Sequence, residues 1–326
     1  MKSLSKAFLI GVMITGCSYP IKIANETRPL EIKTFEKKTL EAKISSAKAQ
    51  SNLKICSWNI QNFGESKASN PQVMQKISSE IAKCDIIALQ EISNVYEKSD
   101  SGCSRNENKC PTNKKCSMIR NSLETHLNEN LGLKYKFVFS PQVKDERYMF
   151  AYNSDKVAFI ESYLVDDFKK TGEICSASLI DYGFMVREPF VGKFKAGNFE
   201  FKLMTAHTQP SNNVNELDAL EKFYRQAEYQ SDNKNIILLG DLNAGCTYLK
   251  QNESIAFRNL RYTWIVGDEE DTTVSTTTNC AYDRFVFTSS AKKYYTGKYA
   301  IETSISKEVS DHYKIWAEFR TDLQQE

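Results

Sequence analysis

The spacing of apolar and polar residues changes at residue 53, where a strand–helix–strand pattern begins. Residues 53–60 alternate in the manner of a β-strand, and residues 85–91 form a compact apolar run typical of a buried strand. Between them, Asn70 and Pro71 are residue types favoured at the start of a helix. One face of that predicted helix carries the apolar residues Met74, Ile77 and Ile81.

A second pattern of the same kind covers residues 201–243. Residues 201–207 predict a strand that ends on a histidine, and residues 236–243 predict a buried strand that ends on polar side chains. The helix between them has apolar residues at Leu217, Leu220, Phe223 and Ala227. No short repeat occurs, so the recurrence favours an α/β sandwich with two related halves over a solenoid. Further strands are predicted over residues 136–140, 148–152, 191–194, 283–288 and 313–319.

Residues 1–16 have the features of a lipoprotein-type signal peptide. Lys2 and Lys6 precede an apolar run over residues 7–14, and small residues then lead to Cys17. The apolar run is too short to span a bilayer as a helix. We expect export, lipidation of Cys17 and anchoring to a bacterial membrane, or release outside the cell. An ordinary signal peptide and a short buried segment are the alternative interpretations.

The remaining chain divides into a tether, one domain and a tail. Residues 17–52 are rich in lysine and glutamate and poor in large apolar residues, which predicts a solvated tether behind the lipidated cysteine. The domain then covers residues 53–320, with a polar insertion at about residues 93–120. Residues 321–326 form a polar tail.

Composition and charge limit the classes of function. An apolar share of 41% with 26% charged residues is typical of a soluble globular protein. The net charge is +2, but residues 53–326 carry 34 basic against 37 acidic residues. The domain therefore lacks the broad positive field of a nucleic-acid-binding module. Any affinity for nucleic acid has to come from local basic groups or from bound metal.

The nine cysteines indicate an oxidising compartment. Eight remain once Cys17 is set aside, an even number that an exported chain can pair as disulfides. Cys103, Cys110 and Cys116 cluster in the insertion, which leaves a zinc site as the alternative there. Their spacing disfavours zinc, because no CxxC pair and no histidine lies among them.

Two of the three histidines, His207 and His312, occupy informative positions at or beside the ends of predicted strands. Carboxylate and amide residues occupy similar positions at Asn59, Glu91, Asp241, Asn243, Asp283 and Asp311. Each residue alone is explained by a turn or a cap. Together they supply what phosphodiester hydrolysis needs: imidazoles that transfer protons near neutral pH, and oxygen ligands for a hard cation.

Five motifs occur in a fixed order and resemble the endonuclease/exonuclease/phosphatase superfamily. They are Ser57-Trp58-Asn59-Ile60, Leu89-Gln90-Glu91, Gly240-Asp241-Leu242-Asn243, Tyr282-Asp283-Arg284 and Ser310-Asp311-His312. Further segments are similar to its deoxyribonuclease I branch: Glu146-Arg147-Tyr148, Arg187-Glu188-Pro189, Ala206-His207, Asn243-Ala244-Gly245-Cys246 and residues 279–283. The resemblance covers residues 53–320. It implies a four-layer α/β/β/α sandwich with two packed, mostly antiparallel sheets, and a metal-dependent endonuclease that hydrolyses DNA as a monomer.

The resemblance also implies a role for each site residue. His207 and His312 would be the acid and base, oriented by Glu146 and Asp283 respectively. The ligands of Mg²⁺ or Mn²⁺ would be Asn59 and Glu91, with Asp241, Asn243 and Asp311 completing the polar floor. Arg187 would contact a phosphate of the substrate. Lys144 stands where a tyrosine of the family enters the minor groove.

A structural disulfide between Cys246 and Cys280 and possible Ca²⁺ sites are implied in the same way. One calcium loop would use Asp271 and Thr273, for which a plain solvated turn is the alternative. The other calcium site would use Asp167, Asp181 and Glu188.

The sequence departs from the deoxyribonuclease I pattern where that family grips DNA. Gln61 and Ser93 occupy positions that are arginines in the family. The insertion carries six basic residues against three acidic ones, and we expect it to supply phosphate contacts instead. Its basic residues are Lys98, Arg105, Lys109, Lys114, Lys115 and Arg120. A solvated insertion without a substrate role is the alternative.

Two other functions remain open from the sequence. A membrane anchor favours a phosphodiesterase that acts on phospholipid or inositol phosphate, although no exposed aromatic hairpin is evident. A non-catalytic surface binding protein on the same scaffold would show an eroded site, whereas every catalytic position here is filled.

Overall fold

The structure is a computed structural model, and it describes residues 52–93, 114–165 and 185–324. These residues belong to one compact unit. The signal peptide, Cys17, the tether up to residue 51 and most of the insertion lie outside the described residues, so the expectations for them stay predictions. No helix in the described ranges is long and apolar enough to cross a membrane.

Twelve strands in these ranges form two six-stranded sheets. The strands are β1 (Asn52–Phe63), β2 (Ile86–Ser93), β3 (Tyr135–Phe139), β4 (Glu146–Asn153), β5 (Ala158–Leu164), β6 (Phe190–Ala196), β7 (Phe199–His207), β8 (Ile236–Asp241), β9 (Tyr262–Ile265), β10 (Asp283–Thr288), β11 (Tyr295–Glu302) and β12 (Lys314–Arg320). The first sheet has the order β11-β12-β1-β2-β4-β3, and the second has the order β5-β6-β7-β8-β10-β9.

Each sheet has one parallel pair near its centre. β1 is parallel to β2, and β7 is parallel to β8, whereas the other neighbours within both sheets are antiparallel. The outer faces are covered by the helices α1 (Glu65–Ala68), α2 (Pro71–Ile81), α3 (Lys114–Leu123) and α4 (Asn213–Tyr229). The short helix α5 (Ser289–Lys292) instead contributes Ala291 to the cluster between the sheets. The two predicted strand–helix–strand units are therefore confirmed as the centres of the two sheets.

Three hydrophobic clusters account for the layers. Side chains such as Ile55 and Phe150 of the first sheet meet Phe194 and Phe201 of the second sheet between the two sheets. Met74, Ile77 and Ile81 of α2 pack on the outer face of the first sheet, and Leu217, Leu220 and Phe223 of α4 belong to the cluster on the outer face of the second sheet. The α/β/β/α sandwich is thus confirmed, because each amphipathic helix buries its apolar face on a sheet.

The helix that follows β1 begins where the sequence predicts. Asn70 caps α2, and its Oδ1 accepts hydrogen bonds from the backbone N–H groups of Gln72 and Val73 at 3.1 and 3.3 Å. Pro71 occupies the first turn, where no backbone donor is needed. The helix therefore returns the chain to the start of β2, beside β1.

Parallel pairing brings the polar ends of the central strands to one end of the sandwich, here called the polar end. Asn59 is level with Gln90, and Asp241 is level with both His207 and Asp283. Gly240 has a φ of +146°, and a Cβ atom there would lie 2.1 Å from the carbonyl oxygen of Ala206. Only glycine allows this close approach immediately before Asp241.

Some elements differ from the pattern-based expectation. Strands β5, β9 and β11 and helix α3 with its continuation over Glu124–Glu129 were not predicted. β11 is only partly buried and lies at a sheet edge, so it lacks a clear alternation of apolar and polar residues. At the other end of the domain, the carbonyl of Thr321 accepts a hydrogen bond from the N–H of Asn198 at 2.8 Å, and Leu323 packs on the core. The ordered domain therefore continues beyond Arg320.

Candidate active site

The first histidine of the site, His207, ends β7 and is held by a buried carboxylate. Its Nδ1 lies 3.1 and 3.0 Å from the two carboxylate oxygens of Glu146, the first residue of β4. The backbone N–H of His207 donates to the hydroxyl of Tyr148 at 3.0 Å. These contacts fix the position of the imidazole and leave its Nε2 free to face the site.

The second histidine, His312, forms an equivalent pair. Its Nδ1 lies 2.8 Å from Oδ2 of Asp283, which is fully buried. The indole N–H of Trp58 donates to the carbonyl of His312 at 3.0 Å, and the N–H of His312 donates to the Ser310 hydroxyl at 3.0 Å. The loop that carries His312 is therefore attached to β1.

Asp241 lies between the two imidazoles. Its Oδ2 is 3.5 Å from Nε2 of His207 and 3.5 Å from Nε2 of His312, and its Oδ1 accepts a hydrogen bond from the N–H of Asn243 at 3.0 Å. The arrangement of these side chains is nearly symmetrical: the two histidines share the carboxylate of Asp241, and each is oriented by a carboxylate of its own. Such an arrangement can hold one proton-donating and one proton-accepting group around a reacting centre.

The charges around the imidazoles determine their protonation. Burial alone would lower the pKa of His312, but the negative charges of Asp283 and Asp241 outweigh it and raise the pKa to about 10. Burial is likewise outweighed at His207, where the charges of Glu146 and Asp241 raise the pKa above its ordinary value. Burial would raise the pKa of Asp241, yet the two histidine charges lower it.

A group of oxygen donors lies beside this histidine pair. The Asn59 amide nitrogen donates to Oε1 of Glu91 at 2.9 Å and to Oδ2 of Asp241 at 3.0 Å, so it spaces the two carboxylates. Oδ1 of Asp311 is buried and has no hydrogen-bond partner. Carboxylate oxygens with an unsatisfied, buried lone pair suit a hard cation such as Mg²⁺. Asn243 is the second amide of this floor, and its side-chain nitrogen donates to the carbonyl of Thr208 at 2.8 Å.

A second set of groups could hold an ion on distance alone. Asp241, Asp283 and His312 bring one ligand atom each within 4.8 Å of one another. However, Asp283 and His312 of this set already pair with each other at 2.8 Å. Oδ1 of Asp311 is buried and has no hydrogen-bond partner, so the Glu91 and Asp311 side of the site fits a cation better.

The two expected substrate-binding residues lie at the polar end. Nε of Arg187 is 3.0 Å from Oε2 of Glu146, although the angles do not make a hydrogen bond, and Nε and Nη1 have no hydrogen-bond partner. Lys144 is exposed in the turn two residues before Glu146, with a φ of +56°. Arg187 thus has buried donors available, and Lys144 presents an exposed positive charge.

The loop expected to bind calcium is closed by its own hydrogen bonds. Oδ1 of Asp271 accepts from the N–H of Thr273 at 2.9 Å, from its hydroxyl at 2.7 Å and from the N–H of Cys280 at 3.2 Å. Glu188 lies in the segment before β6, whereas Asp167 and Asp181 lie outside the described residues. Calcium binding at either place stays a prediction.

Two disulfides are present in the described ranges. The structure joins Cys246 to Cys280, as the resemblance implies, with a Cα–Cα distance of 5.6 Å. It also joins Cys56 to Cys84 at 6.0 Å, a pairing that the sequence left open. Of the clustered cysteines in the insertion, Cys103 and Cys110 lie outside the described residues, so the zinc alternative is not tested.

Four site residues were missed from the sequence. They are Lys67, Gln90, Tyr148 and Thr272. Gln90 donates to Thr205 at 2.9 Å and joins the two sheets, while the hydroxyl of Thr272 accepts from the N–H of Asp283 at 3.2 Å. Burial lowers the pKa of Lys67 to about 8 despite the charges of Asp311 and Glu91. Gln90 and Tyr148 lie within quoted motifs, and Thr272 lies between the two residues named for the calcium loop, whereas no motif points to Lys67.

Comparison with known proteins agrees with this geometry. Residues 56–312 match the model of the Endonuclease/Exonuclease/phosphatase family. The chain is 32% identical to deoxyribonuclease gamma of Homo sapiens over 247 residues, which cover 72% of this chain and 71% of that protein. It is 30% identical to deoxyribonuclease-1 of Oryctolagus cuniculus over 285 residues, which cover 81% of this chain and 91% of that protein.

Solved structures show the same fold at lower sequence identity. An endonuclease/exonuclease/phosphatase family protein from Bacteroides thetaiotaomicron is similar, with a TM-score of 0.53 and 15% identity over 84% of this chain and 99% of that chain. A D. rerio TDP2 humanized by 14 mutations has a TM-score of 0.54 and 16% identity over 83% of this chain and 99% of that chain. The family match, the identities and the paired histidines agree: the chain belongs to the endonuclease/exonuclease/phosphatase family, in its deoxyribonuclease I-like branch.

Proposed function

We propose that this protein is an exported, metal-dependent endonuclease that hydrolyses phosphodiester bonds in DNA. It is a deoxyribonuclease I-like hydrolase by family, and relatives at 30–32% identity are named as deoxyribonucleases. The observation that carries the proposal is the pair of carboxylate-bound histidines whose Nε2 atoms face one buried aspartate. The metal dependence, the proton path, export and anchoring are proposals that follow from the site and the chain.

The chain's own residues handle the protons. Glu146 and Asp283 bind the Nδ1 atoms, so each histidine exchanges its proton at Nε2. One Nε2 accepts the proton of the attacking water, and the other donates a proton to the leaving sugar oxygen. The P–O bond to water forms as the P–O bond to the sugar breaks, and the pair returns to its starting charge by proton exchange with solvent.

Glu91 and Asp311 would hold the metal ion, with Asn59 spacing the carboxylates of Glu91 and Asp241. Asn243 completes the floor behind Asp241. When bound, a divalent cation supplies positive charge that stabilises the anionic transition state at phosphorus. The buried, unpaired oxygen of Asp311 supports this assignment. Mg²⁺ or Mn²⁺ fits these oxygen donors, and Ca²⁺ binding elsewhere is a separate expectation.

The DNA is expected to be gripped by Arg187 and by the basic insertion, with Lys144 at the rim. Gln61 and Ser93 offer no positive charge to the backbone. Replacing Lys109, Lys114 and Lys115 with glutamine should flatten the dependence of DNA affinity on salt, since each lost phosphate contact removes one released counterion. The measurement is fluorescence anisotropy with a labelled duplex over a salt series. An unchanged slope contradicts a phosphate-binding role of the insertion.

Export and anchoring through Cys17 are supported by disulfide pairing and by the direction of β1. Disulfides such as Cys56–Cys84 persist in oxidising compartments. β1 begins at Asn52, which pairs with Arg320 at the end of the sandwich opposite the site. A tether attached there would leave the site open to large substrates. Membrane fractionation of the wild type and of Cys17→Ala tests the anchor. We expect the wild type in the membrane fraction and the variant in the soluble fraction, and a variant that stays with the membrane contradicts anchoring through Cys17.

The decisive experiment is nicking of supercoiled plasmid by the purified full chain. We expect nicking with Mg²⁺ or Mn²⁺, none with EDTA, and loss of activity by more than a hundredfold in His207→Ala and His312→Ala. His126→Ala is the matched control, because His126 lies in the helical segment after α3, where its Nδ1 is 2.8 Å from the carbonyl of Ser122, and takes no part in either histidine–carboxylate pair. Nicking that persists in EDTA or in both site variants contradicts the mechanism.

Two outcomes would favour the other functions. Turnover of a phospholipid or inositol phosphate without DNA nicking would favour the related phosphodiesterase. DNA or ligand binding with no turnover of any phosphodiester would favour a binding protein. A monomer is expected, because one chain supplies both histidine pairs and the oxygen donors, and light scattering of the active fraction measures its mass.

A further inference from the structure

Residues 60–62, near the end of β1, form a bulged turn with an unfavourable backbone conformation, where the pairing of β1 with β2 shifts register between Asn59 and Phe63. Gln61 and Asn62 have φ values of +46° and +52°, and Glu91 has a φ of +58°. Left-handed conformations cost L-residues other than glycine about 1 kcal/mol or more each, so such a turn persists only when its surroundings hold it. This turn lies directly beside the oxygen donors of the site.

Side chains of the site hold one side of this turn. Oδ1 of Asn59 accepts from the N–H of Gln61 at 3.0 Å, and Oε2 of Glu91 accepts from the N–H of Asn62 at 3.0 Å. The backbone N–H groups of the turn are thereby bound to Asn59, which separates the carboxylates of Glu91 and Asp241, and to Glu91, which would hold the metal. The carbonyl groups of the turn need a donor from elsewhere.

Lys67 of α1 supplies that donor. Its ammonium group donates to the carbonyl of Ile60 at 2.8 Å, to the carbonyl of Gln61, and to the carbonyl of Val309 at 2.7 Å. A lysine ammonium has three N–H donors, so three carbonyls satisfy it. Val309 precedes Ser310-Asp311-His312, whose Ser310 hydroxyl also donates to the carbonyl of Asn59 at 2.7 Å. One side chain thus joins the bulged turn of β1 to the loop of His312.

We propose that Lys67 is a positioning residue that fastens the metal-binding side of the site to the loop of Asp311 and His312. The inference rests on the proposed metal site of the nuclease. Lys67 does not touch the reacting atoms, but it fixes the separation between Glu91 on one strand and Asp311 on the opposite loop. The two carboxylates then face a cation at a constant distance.

A charge effect and a positioning effect predict opposite results. If Lys67 acted only as a nearby positive charge, its removal would relieve repulsion and tighten metal binding. If it positions the ligands, its removal weakens metal binding although a positive charge is lost. Removing groups that orient metal ligands typically costs about 10- to 100-fold in metal affinity or activity.

The test uses Lys67→Met in the full chain, because methionine keeps the length of the side chain and lacks donors. We expect the Kd for Mn²⁺, measured by electron paramagnetic resonance without DNA, to rise about tenfold. We expect kcat for plasmid nicking to fall about tenfold or more, with KM for DNA unchanged. Unchanged or tighter Mn²⁺ binding by a folded variant overturns the proposal.

Lys76→Met is the matched control. Lys76 forms an exposed ion pair with Glu308, which neighbours Val309 in the same loop. Exposed pairs contribute little, so the control should bind Mn²⁺ like the wild type. Loss of Mn²⁺ binding in this control overturns the assignment to Lys67.

A second variant covers the case in which Lys67→Met does not fold. Lys67→Arg keeps the charge, but a planar guanidinium cannot place three donors on one atom. It should therefore also weaken Mn²⁺ binding, and wild-type binding overturns the proposal. A wild type that binds Mn²⁺ but never nicks DNA refutes the proposed function alone. Nicking by the wild type with unchanged Mn²⁺ binding in both Lys67 variants refutes only the positioning role.

Discussion

The Cys56–Cys84 disulfide allows a quantitative test of what holds the first half of the domain together. The two cysteines are separated by 28 residues and have 0% and 2% exposure. The bridge closes the segment from β1 through α2 to the start of β2. For a loop of this length, the chain-entropy model gives a stabilisation of about 3.6 kcal/mol.

The perturbation is the double variant Cys56→Ala/Cys84→Ala. Two buried sulfur atoms are also lost, which adds about 1 kcal/mol. The sum of about 4 to 5 kcal/mol corresponds to a fall in Tm of about 10 to 15 °C for a domain of this size. Circular dichroism during thermal unfolding in EDTA measures it, and plasmid nicking at 25 °C should stay near the wild-type rate.

Cys246→Ala/Cys280→Ala is the informative comparison. Its separation of 34 residues predicts a similar stability loss of about 4 kcal/mol. However, this bridge closes the loop whose Thr272 accepts the N–H of Asp283, and whose Thr273 pairs with His312. Activity should therefore fall as well as stability. A Cys56/Cys84 variant that unfolds within 2 °C of the wild type, or that loses nicking while folded, refutes the reasoning.

Three further predictions concern the site. Asp283→Asn removes a negative charge that raises the pKa of His312, so kcat should fall about a hundredfold. The basic limb of the pH–rate profile should also move to lower pH, and a limb that does not move excludes the pairing of Asp283 with His312. In EDTA, His312 keeps a proton in the folded state up to a pKa of about 10 and loses it on unfolding above about pH 6.5, and the raised pKa of His207 acts in the same direction. The free energy of unfolding should therefore fall as the pH rises from about 7 to 9, by up to about 1.4 kcal/mol per pH unit for His312, and urea titrations that show it constant or rising contradict the charge assignment. Arg187→Met should raise KM for DNA about fivefold with little change in kcat, in steady-state nicking assays; a loss confined to kcat would instead assign Arg187 to the transition state.

The central strands and the histidines could be predicted from the sequence for a physical reason. Buried strands such as β2 and β8 must be continuous apolar runs, and a functional group can appear only where the run ends. Rare residue types at those ends, such as His207 and Asp241, stand out because the core excludes them elsewhere. The edge strands β5, β9 and β11 lacked this signal, since a strand with one exposed side is under weaker constraint.

The chemical role of several residues depended on contacts that a sequence does not contain. The amide nitrogen of Asn59, rather than its oxygen, faces Glu91 and Asp241, which gives Asn59 a spacing role. Lys67 binds three backbone carbonyls, and backbone partners leave no trace in residue identity. Neither fact follows from spacing along the chain.

The two strand–helix–strand units, their sandwich and the two site histidines follow from the amino-acid sequence, because periodicity and scarcity are properties of the chain. Long-range contacts establish that His207 and His312 share Asp241, that Cys56 pairs with Cys84, and that Lys67 binds a carbonyl 242 residues further along the chain. These relations depend on strand register and on distances of about 3 Å. They form only when long-range contacts close the two sheets on one another.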